Sequence, residues 1–323
     1  MKGTPVIVAE SLCRSYGKNP AVSGLDLQVP AGQIFGFLGP NGAGKSTTIS
    51  ILCTLLRPDA GRAEVAGYDV ARQPEEVRRN IGVVFQESTL DRDLTAEQNL
   101  RFQAKLFGMP RSRARRAIAA ALDLVKLTER KDSPVSTYSG GMQRRLEIAR
   151  GLLHAPRVLF LDEPTTGLDP QTRIAIWEHL HRLRAEHEVT IFLTTHHLEE
   201  AENCDRIAII DGGKRVVEGT PAELKAVVGA DLVTLRTGDD VAAVRAIREQ
   251  FGLDAAEGPD GARLRVADGA RFVPKLCARL TVPVHSVTVV PPSLDDVFLH
   301  YTGRTIREAD EGPSLLSELG MGR

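Results

Sequence analysis

The chain has 323 residues, 42% of them apolar and 26% charged, and a formal net charge of -1. This composition is that of a globular protein large enough for two domains. The near-neutral charge argues against a general nucleic-acid binder, and no apolar run approaches the ~20 residues that span a bilayer. Cys13, Cys53, Cys204 and Cys277 are scattered and read as reduced thiols. His179 and His181 sit two apart on a predicted helix and give no metal spacing. Met1-Lys2-Gly3-Thr4-Pro5 leads straight into a strand without a signal-peptide core, so the expected location is the cytosol.

In chain order, residues 4–30 read as antiparallel strands, and Leu25–Val29 alternates apolar and polar as a half-exposed strand does. The apolar run Ile34–Leu38 reads as a buried strand feeding Gly39-Pro40-Asn41-Gly42-Ala43-Gly44-Lys45-Ser46-Thr47, and Thr48–Leu56 as the helix that follows. That stretch fits G-x-x-x-x-G-K-[ST], the phosphate-binding loop. Its glycines let backbone N–H groups turn inward around a polyphosphate, and the helix N-terminus adds partial positive charge. Lys45 supplies a full charge near the β- and γ-phosphates, and the Ser46 hydroxyl is placed to ligate Mg²⁺. ATP or GTP is the expected ligand.

Ile81–Phe85, Val158–Leu161, Ile191–Leu193 and Ile207–Ile210 are short and almost wholly apolar, as in a sheet covered on both faces. Between Ser88 and Ala155 no strong strand is visible; Leu94–Phe107 and Arg113–Leu127 have helical spacing instead. The basic cluster Arg111–Arg116 reads as a solvated helix face. Ser139-Gly140-Gly141-Met142-Gln143 opens a further helix to Leu153 and forms a second anion-binding terminus, without a lysine. One nucleotide does not need two γ-phosphate sites from one chain. Two chains packed head-to-tail would use both. Asp162-Glu163 ends the strand Val158–Leu161, where a carboxylate lies beside the phosphate loop. Asp162 suits Mg²⁺ held through its water shell, and Glu163 suits the deprotonation of an attacking water.

With these motifs in order, residues 4 to about 220 resemble the ATPase subunit of an ABC transporter. Gly39–Thr47 matches the Walker A motif, Gln86 the Q-loop, Tyr138–Gln143 the signature motif and Val158–Pro164 Walker B. Gly167–Pro170, with Asp169, matches the D-loop, and His196 the switch histidine. Tyr16 stands where the family places an aromatic on the adenine. The resemblance implies that Gln86 contacts Mg²⁺ and the attacking water, that His196 meets the γ-phosphate beside Glu163, and that Asp169 bridges two subunits. His197 is expected to point elsewhere. The signature departs from the commoner Leu-Ser-Gly-Gly-Gln at Tyr138 and Met142, but Ser139, Gly140 and Gly141 are intact.

After Thr220-Pro221 the pattern changes. Asp231–Arg236, Val241–Phe251, Ala255–Glu257, Ala262–Val266, Phe272–Leu280 and Val284–Val290 follow the β-α-β-β-α-β order of a small split βαβ domain, with a last helix at Leu294–Tyr301. This segment reads as a binding or assembly module. In the last helix Ser293 is expected to cap, with Val297, Phe298 and Tyr301 packing inward. Residues 291–304 and 86–95 are similar to daunorubicin-resistance-type ABC ATPases, which implies a partner permease and export of drugs or lipids.

The expected architecture is thus an α/β P-loop ABC ATPase domain, with a mixed core sheet plus antiparallel β and helical subdomains, over 1–225. Its helical subdomain is expected at about 88–155. A small α+β domain is expected at 226–304 and a flexible tail at 305–323. The expected protein binds ATP and Mg²⁺, forms a homodimer through its nucleotide sites, and works at the cytoplasmic face of the membrane beneath a separate permease, without nucleic acid. A soluble ABC ATPase acting on ribosomes or DNA and an importer subunit are the rival readings. A P-loop kinase or GTPase would leave Ser139–Gln143 and His196 without roles.

Overall fold

The computed structural model describes residues 4–305; the expected tail lies, from residue 306 onward, outside the described residues. Contacts divide the chain into two units, the first ending at Thr220 and the second spanning Pro221–Thr305.

The first unit is built on a six-stranded sheet in the order Lys214–Gly219, Arg206–Asp211, Ile34–Leu38, Thr190–Thr195, Val158–Asp162 and Ile81–Val84. Five strands are parallel; Lys214–Gly219 runs antiparallel at the edge. Ile34–Leu38, Val158–Asp162 and Thr190–Thr195 are buried at every position, which explains the apolar runs Ile34–Leu38, Val158–Leu161 and Ile191–Leu193 within them. Phe192 stands at the centre of one face, with Phe35, Phe37 and Phe160 rings at 5.7, 5.4 and 5.5 Å. A second, antiparallel sheet of Pro5–Tyr16, Asn19–Pro30, Ala60–Val65 and Tyr68–Asp69 shares this core. The helix after the phosphate loop is shorter than its apolar spacing suggests, Lys45–Leu52, because Thr54 turns left-handed at φ +64.

Helices Ala96–Leu106, Arg111–Leu124 and Gly140–Leu152 form a helical region with its own core around Leu100, Ile118, Leu122 and Leu146. A capping box between Thr95 and Gln98 sets the first start at Ala96 rather than Leu94. Pro110 precedes the second, which begins at Arg111; Arg111, Arg113, Arg115 and Arg116 are exposed and Ala114 faces inward. Helix Gly140–Leu152 lies close on the strand Ile81–Val84, where a Cβ on Gly82 would come 2.2 Å from the Gly151 carbonyl oxygen. Among the described residues no helix is long and apolar enough to cross a membrane.

The second unit has the β-α-β-β-α-β order: Asp231–Thr237, Asp240–Phe251, Ala255–Gly258, Gly261–Val266, Gly269–Arg279 and Val284–Val290. Its four strands are antiparallel in the order Ala255–Gly258, Gly261–Val266, Asp231–Thr237, Val284–Val290. Asp239 and Asp268 cap its two helices. The final helix, Leu294–Thr302, is capped by Ser293 in a box with Asp296, and Leu294, Val297 and Phe298 are buried. Tyr301 does not pack inward; it is 37% exposed, and its ring meets His300 edge-on at 5.0 Å.

Candidate functional site

The phosphate loop runs from the C-terminal end of the central strand into the helix Lys45–Leu52. Gly44 makes the turn at φ +100, and a Cβ there would come 2.2 Å from the Ala21 carbonyl oxygen. Loop and neighbours enclose a polar cavity of about 280 Å³ lined by Ala21, Asn41, Gly42, Gly44, Lys45, Ser46, Thr47, Gln86 and Glu163. Gly39, Pro40 and Ala43 are buried and shape the loop from beneath. Lys45 is buried, and its ammonium donates to the carbonyls of Gly39 at 2.7 Å and Pro40 at 3.0 Å.

Glu163 is the hub of the cavity. It follows the strand Val158–Asp162 directly, with φ +47, a left-handed backbone that a non-glycine residue adopts at a cost of ~1–3 kcal/mol. Its Oε2 accepts from Gln86 Nε2 and from the Thr166 hydroxyl, each at 3.2 Å. Its Oε1 lies 3.0 Å from His196 Nδ1 and 3.9 Å from the Lys45 ammonium. Asp162 is buried beside it and accepts from the Thr194 hydroxyl at 2.5 Å, while the Glu163 N–H donates to the same hydroxyl at 3.0 Å. The Thr194 hydroxyl therefore holds the Asp162 carboxylate and the Glu163 backbone together, a role the sequence reading missed. The available signal was the pair of hydroxyls, Thr194 and Thr195, that follows the apolar run Ile191–Leu193.

His197 is not turned away. Its ring centroid is 4.0 Å from that of His196, because the strand ends at Thr195 and alternation stops there. Burial, then the His196 ring, lowers its pKa. Behind them Glu200 is buried, bonded to the hydroxyls of Thr165 and Thr195.

Several expected ligands lie outside this cavity. Ser139 is exposed and caps the helix Gly140–Leu152, accepting from the Met142 N–H at 3.3 Å. Gly141 is buried against Thr172, where a Cβ would clash at 2.3 Å; Gly140 is exposed and Met142 half-buried. Gln143 donates to the Tyr138 carbonyl at 3.1 Å. Asp169 caps the helix Pro170–His187 through Thr172, whose hydroxyl and N–H bonds lower its pKa. Tyr16 ends one arm of the Pro5–Tyr16/Asn19–Pro30 hairpin, 51% exposed, with the Arg14 guanidinium 5.6 Å from its ring centre.

A phosphate cradle and a carboxylate held toward it by an amide and an imidazole are the equipment of a P-loop nucleotide hydrolase. Comparison with known proteins narrows that class. Residues 22–166 match the ABC transporter family, and residues 219–302 match the C-terminal domain described as ATP-binding protein DrrA1-3-like. The chain is 42% identical over 322 residues to the daunorubicin/doxorubicin resistance ATP-binding protein DrrA of Streptomyces peucetius, covering 95% of this chain and 97% of that one. It is 39% identical over 312 residues to the Nod factor export ATP-binding protein I of Ralstonia nicotianae, covering 94% and 96%. Among solved structures, CbiO1 of Clostridium perfringens, part of the ABC transporter complex CbiONQ, superposes with a TM-score of 0.65 at 29% identity, over 70% of this chain and 93% of that one. A dimeric ATP-binding cassette bound to ADP and Pi superposes with a TM-score of 0.59 at 26% identity, over 66% and 98%. The chain belongs to the family of ABC transporter ATP-binding subunits, and it is an ATPase.

Proposed function

We propose that this subunit binds ATP with Mg²⁺ between the phosphate loop of one copy and the Ser139–Gln143 turn of a second, and that Glu163 activates the water that attacks the γ-phosphate. The observation that carries this is the placement of Glu163: one carboxylate shared by Gln86 and His196 and aimed at the loop that holds Lys45. The water's proton passes to Glu163, while His196 and Gln86 hold the carboxylate and the water in line. Lys45 leaves the Gly39 and Pro40 carbonyls for the β- and γ-phosphates. The Ser46 hydroxyl, Gln86 amide oxygen and Asp162 carboxylate are hard oxygen donors, which suits Mg²⁺. When bound, that ion neutralises charge on the transferring phosphoryl group.

Ser139, Gly140 and Gly141 offer the partner copy's γ-phosphate a capped helix N-terminus, Asp169 lies at the same face, and Tyr16 offers a flat ring for the adenine. For the permease, an apolar groove of about 500 Å³ opens beside the Gln86 segment, with Leu55, Phe102 and Leu106 exposed along it. An amphipathic helix of a membrane subunit fits such a groove, and the ATPase then sits peripherally on the cytoplasmic face. The relatives named for drug resistance and Nod factor export support export of a hydrophobic or amphiphilic compound as the work driven. The second unit acts as a binding or assembly module.

The test is affinity purification of the Glu163→Gln protein with ATP from detergent-solubilised native membranes. Recovery of a multi-helix membrane protein supports the transport reading. Recovery of ribosomal or DNA-repair proteins instead overturns it and leaves the ATPase chemistry standing.

A further inference from the structure

The helix that begins at the signature turn carries two buried charges one turn apart, Arg144 and Glu147. Every N–H of Arg144 is used. Its Nε donates to the Pro164 carbonyl at 2.7 Å. One terminal nitrogen, Nη1, donates to the Phe85 carbonyl at 2.5 Å and to Glu147 Oε2 at 3.0 Å. The other, Nη2, donates to the carbonyls of Asp162 at 3.0 Å and Glu163 at 3.2 Å. Glu147 spends its second oxygen on the Thr89 N–H, at 3.0 Å. A guanidinium has five N–H donors in a fixed fork, so this is a saturated set that no other side chain can reproduce.

The partners fall in two places. Three are the consecutive carbonyls of Asp162, Glu163 and Pro164, which surround the left-handed turn at Glu163. The other two, Phe85 directly and Thr89 through Glu147, lie either side of Gln86. The helix bearing the fork is capped by Ser139, five residues from Arg144. One side chain therefore ties the signature helix to both residues that flank the attacking water. A carboxylate in a strained turn keeps its aim only if the surrounding structure over-determines it.

We propose that Arg144, held by Glu147, is a positioning residue for hydrolysis: it sets Glu163 and Gln86 in register with the signature turn of the same chain. Displacement of the signature helix then moves the hydrolytic carboxylate and the Gln86 loop together. The inference rests on the assignment of Glu163 and Gln86 to the water site.

The experiment compares full-length wild type, Arg144→Met/Glu147→Met, Glu147→Gln and Glu163→Gln at saturating ATP and Mg²⁺. The double variant removes both charges together, so neither is left buried and unpaired. Expected is a fall in kcat of about 10²-fold in the double variant, the size that misplacement of catalytic groups produces, with KM for ATP within about threefold. Faster amide exchange across residues 85–90 accompanies it. Glu147→Gln, which keeps the shape, lowers kcat about 10-fold and provides the reading if the double variant does not fold. Either folded variant turning over at the wild-type kcat overturns the proposal, and so does a fall that merely tracks the unfolded fraction by circular dichroism. If Glu163→Gln itself keeps wild-type turnover, the water-site assignment fails instead.

Discussion

At the scale of single residues, Glu163 combines a costly backbone with side-chain partners on Gln86, Thr166 and His196. Such strain at a carboxylate facing a phosphate loop is stored where chemistry needs a fixed geometry. Glu163→Gln keeps the shape and removes the base, so nucleotide binding persists while hydrolysis falls by about 10²–10⁴-fold, the usual worth of a general base. A nucleotide-binding titration beside a phosphate-release assay checks both halves. Undiminished hydrolysis would remove Glu163 from that role. His179 makes a different demand. It is buried on the helix Pro170–His187, with no partner for Nε2 among the described residues, and burial, aided by Arg182, Arg145 and Lys126, lowers its pKa from 6.5 to about 4. The folded state therefore holds His179 neutral where the unfolded chain protonates it. Stability is complete above the unfolded value and is lost as pH falls from about 6.5 toward about 4. Between pH 7 and pH 5 this one group costs about 2 kcal/mol, and His179→Leu removes that part of the slope. Urea unfolding at the two pH values measures it.

At the scale of elements, strands and helices were legible wherever local rules set them. The apolar runs Ile34–Leu38, Val158–Leu161 and Ile191–Leu193 marked the buried strands, and the β-α-β-β-α-β order of the second unit was legible too. The misreadings have local causes too. The Thr95 and Gln98 capping box moved one helix start, the left-handed Thr54 ended another early, and the end of a strand at Thr195 brought His197 alongside His196. Contact between elements was less legible. Nothing in the pattern of Ile81–Val84 says that Gly82 is where the signature helix touches the sheet. Gly82→Ala drives a Cβ into the Gly151 carbonyl and must lift that helix, at a cost of about 1–3 kcal/mol. Chemical denaturation gives the number; a change below a few tenths would mean that the helix shifts freely.

At the scale of the whole molecule, the signature turn lies outside the phosphate-loop cavity of its own chain. Ser139 is exposed at a helix N-terminus, while the loop cavity is lined by other residues. If it caps the partner's phosphate, then in the slow-turnover Glu163→Gln background ATP drives dimer formation. Adding Ser139→Glu places a carboxylate against the γ-phosphate and abolishes it. Light scattering with and without ATP reads the outcome; an unchanged dimer would place the nucleotide contact elsewhere.

The sequence by itself made legible a phosphate loop, a strand-end carboxylate pair and a glycine turn at a helix start, each recognisable because a turn, a helix end or a strand end is written in neighbouring residues; His196 was picked out only by the resemblance to the ABC family. Only the tertiary structure decided that Glu163 is the point where Gln86, His196 and Lys45 meet. It also decided that Thr194 holds the Asp162 carboxylate and the Glu163 backbone and that Arg144 binds two distant loops. Gln86 and Glu163 lie 77 residues apart in the chain, and Lys45 is farther from Glu163 still. Which carbonyl or carboxylate a buried side chain finds depends on how layers close over one another, and spacing along the chain does not carry that information.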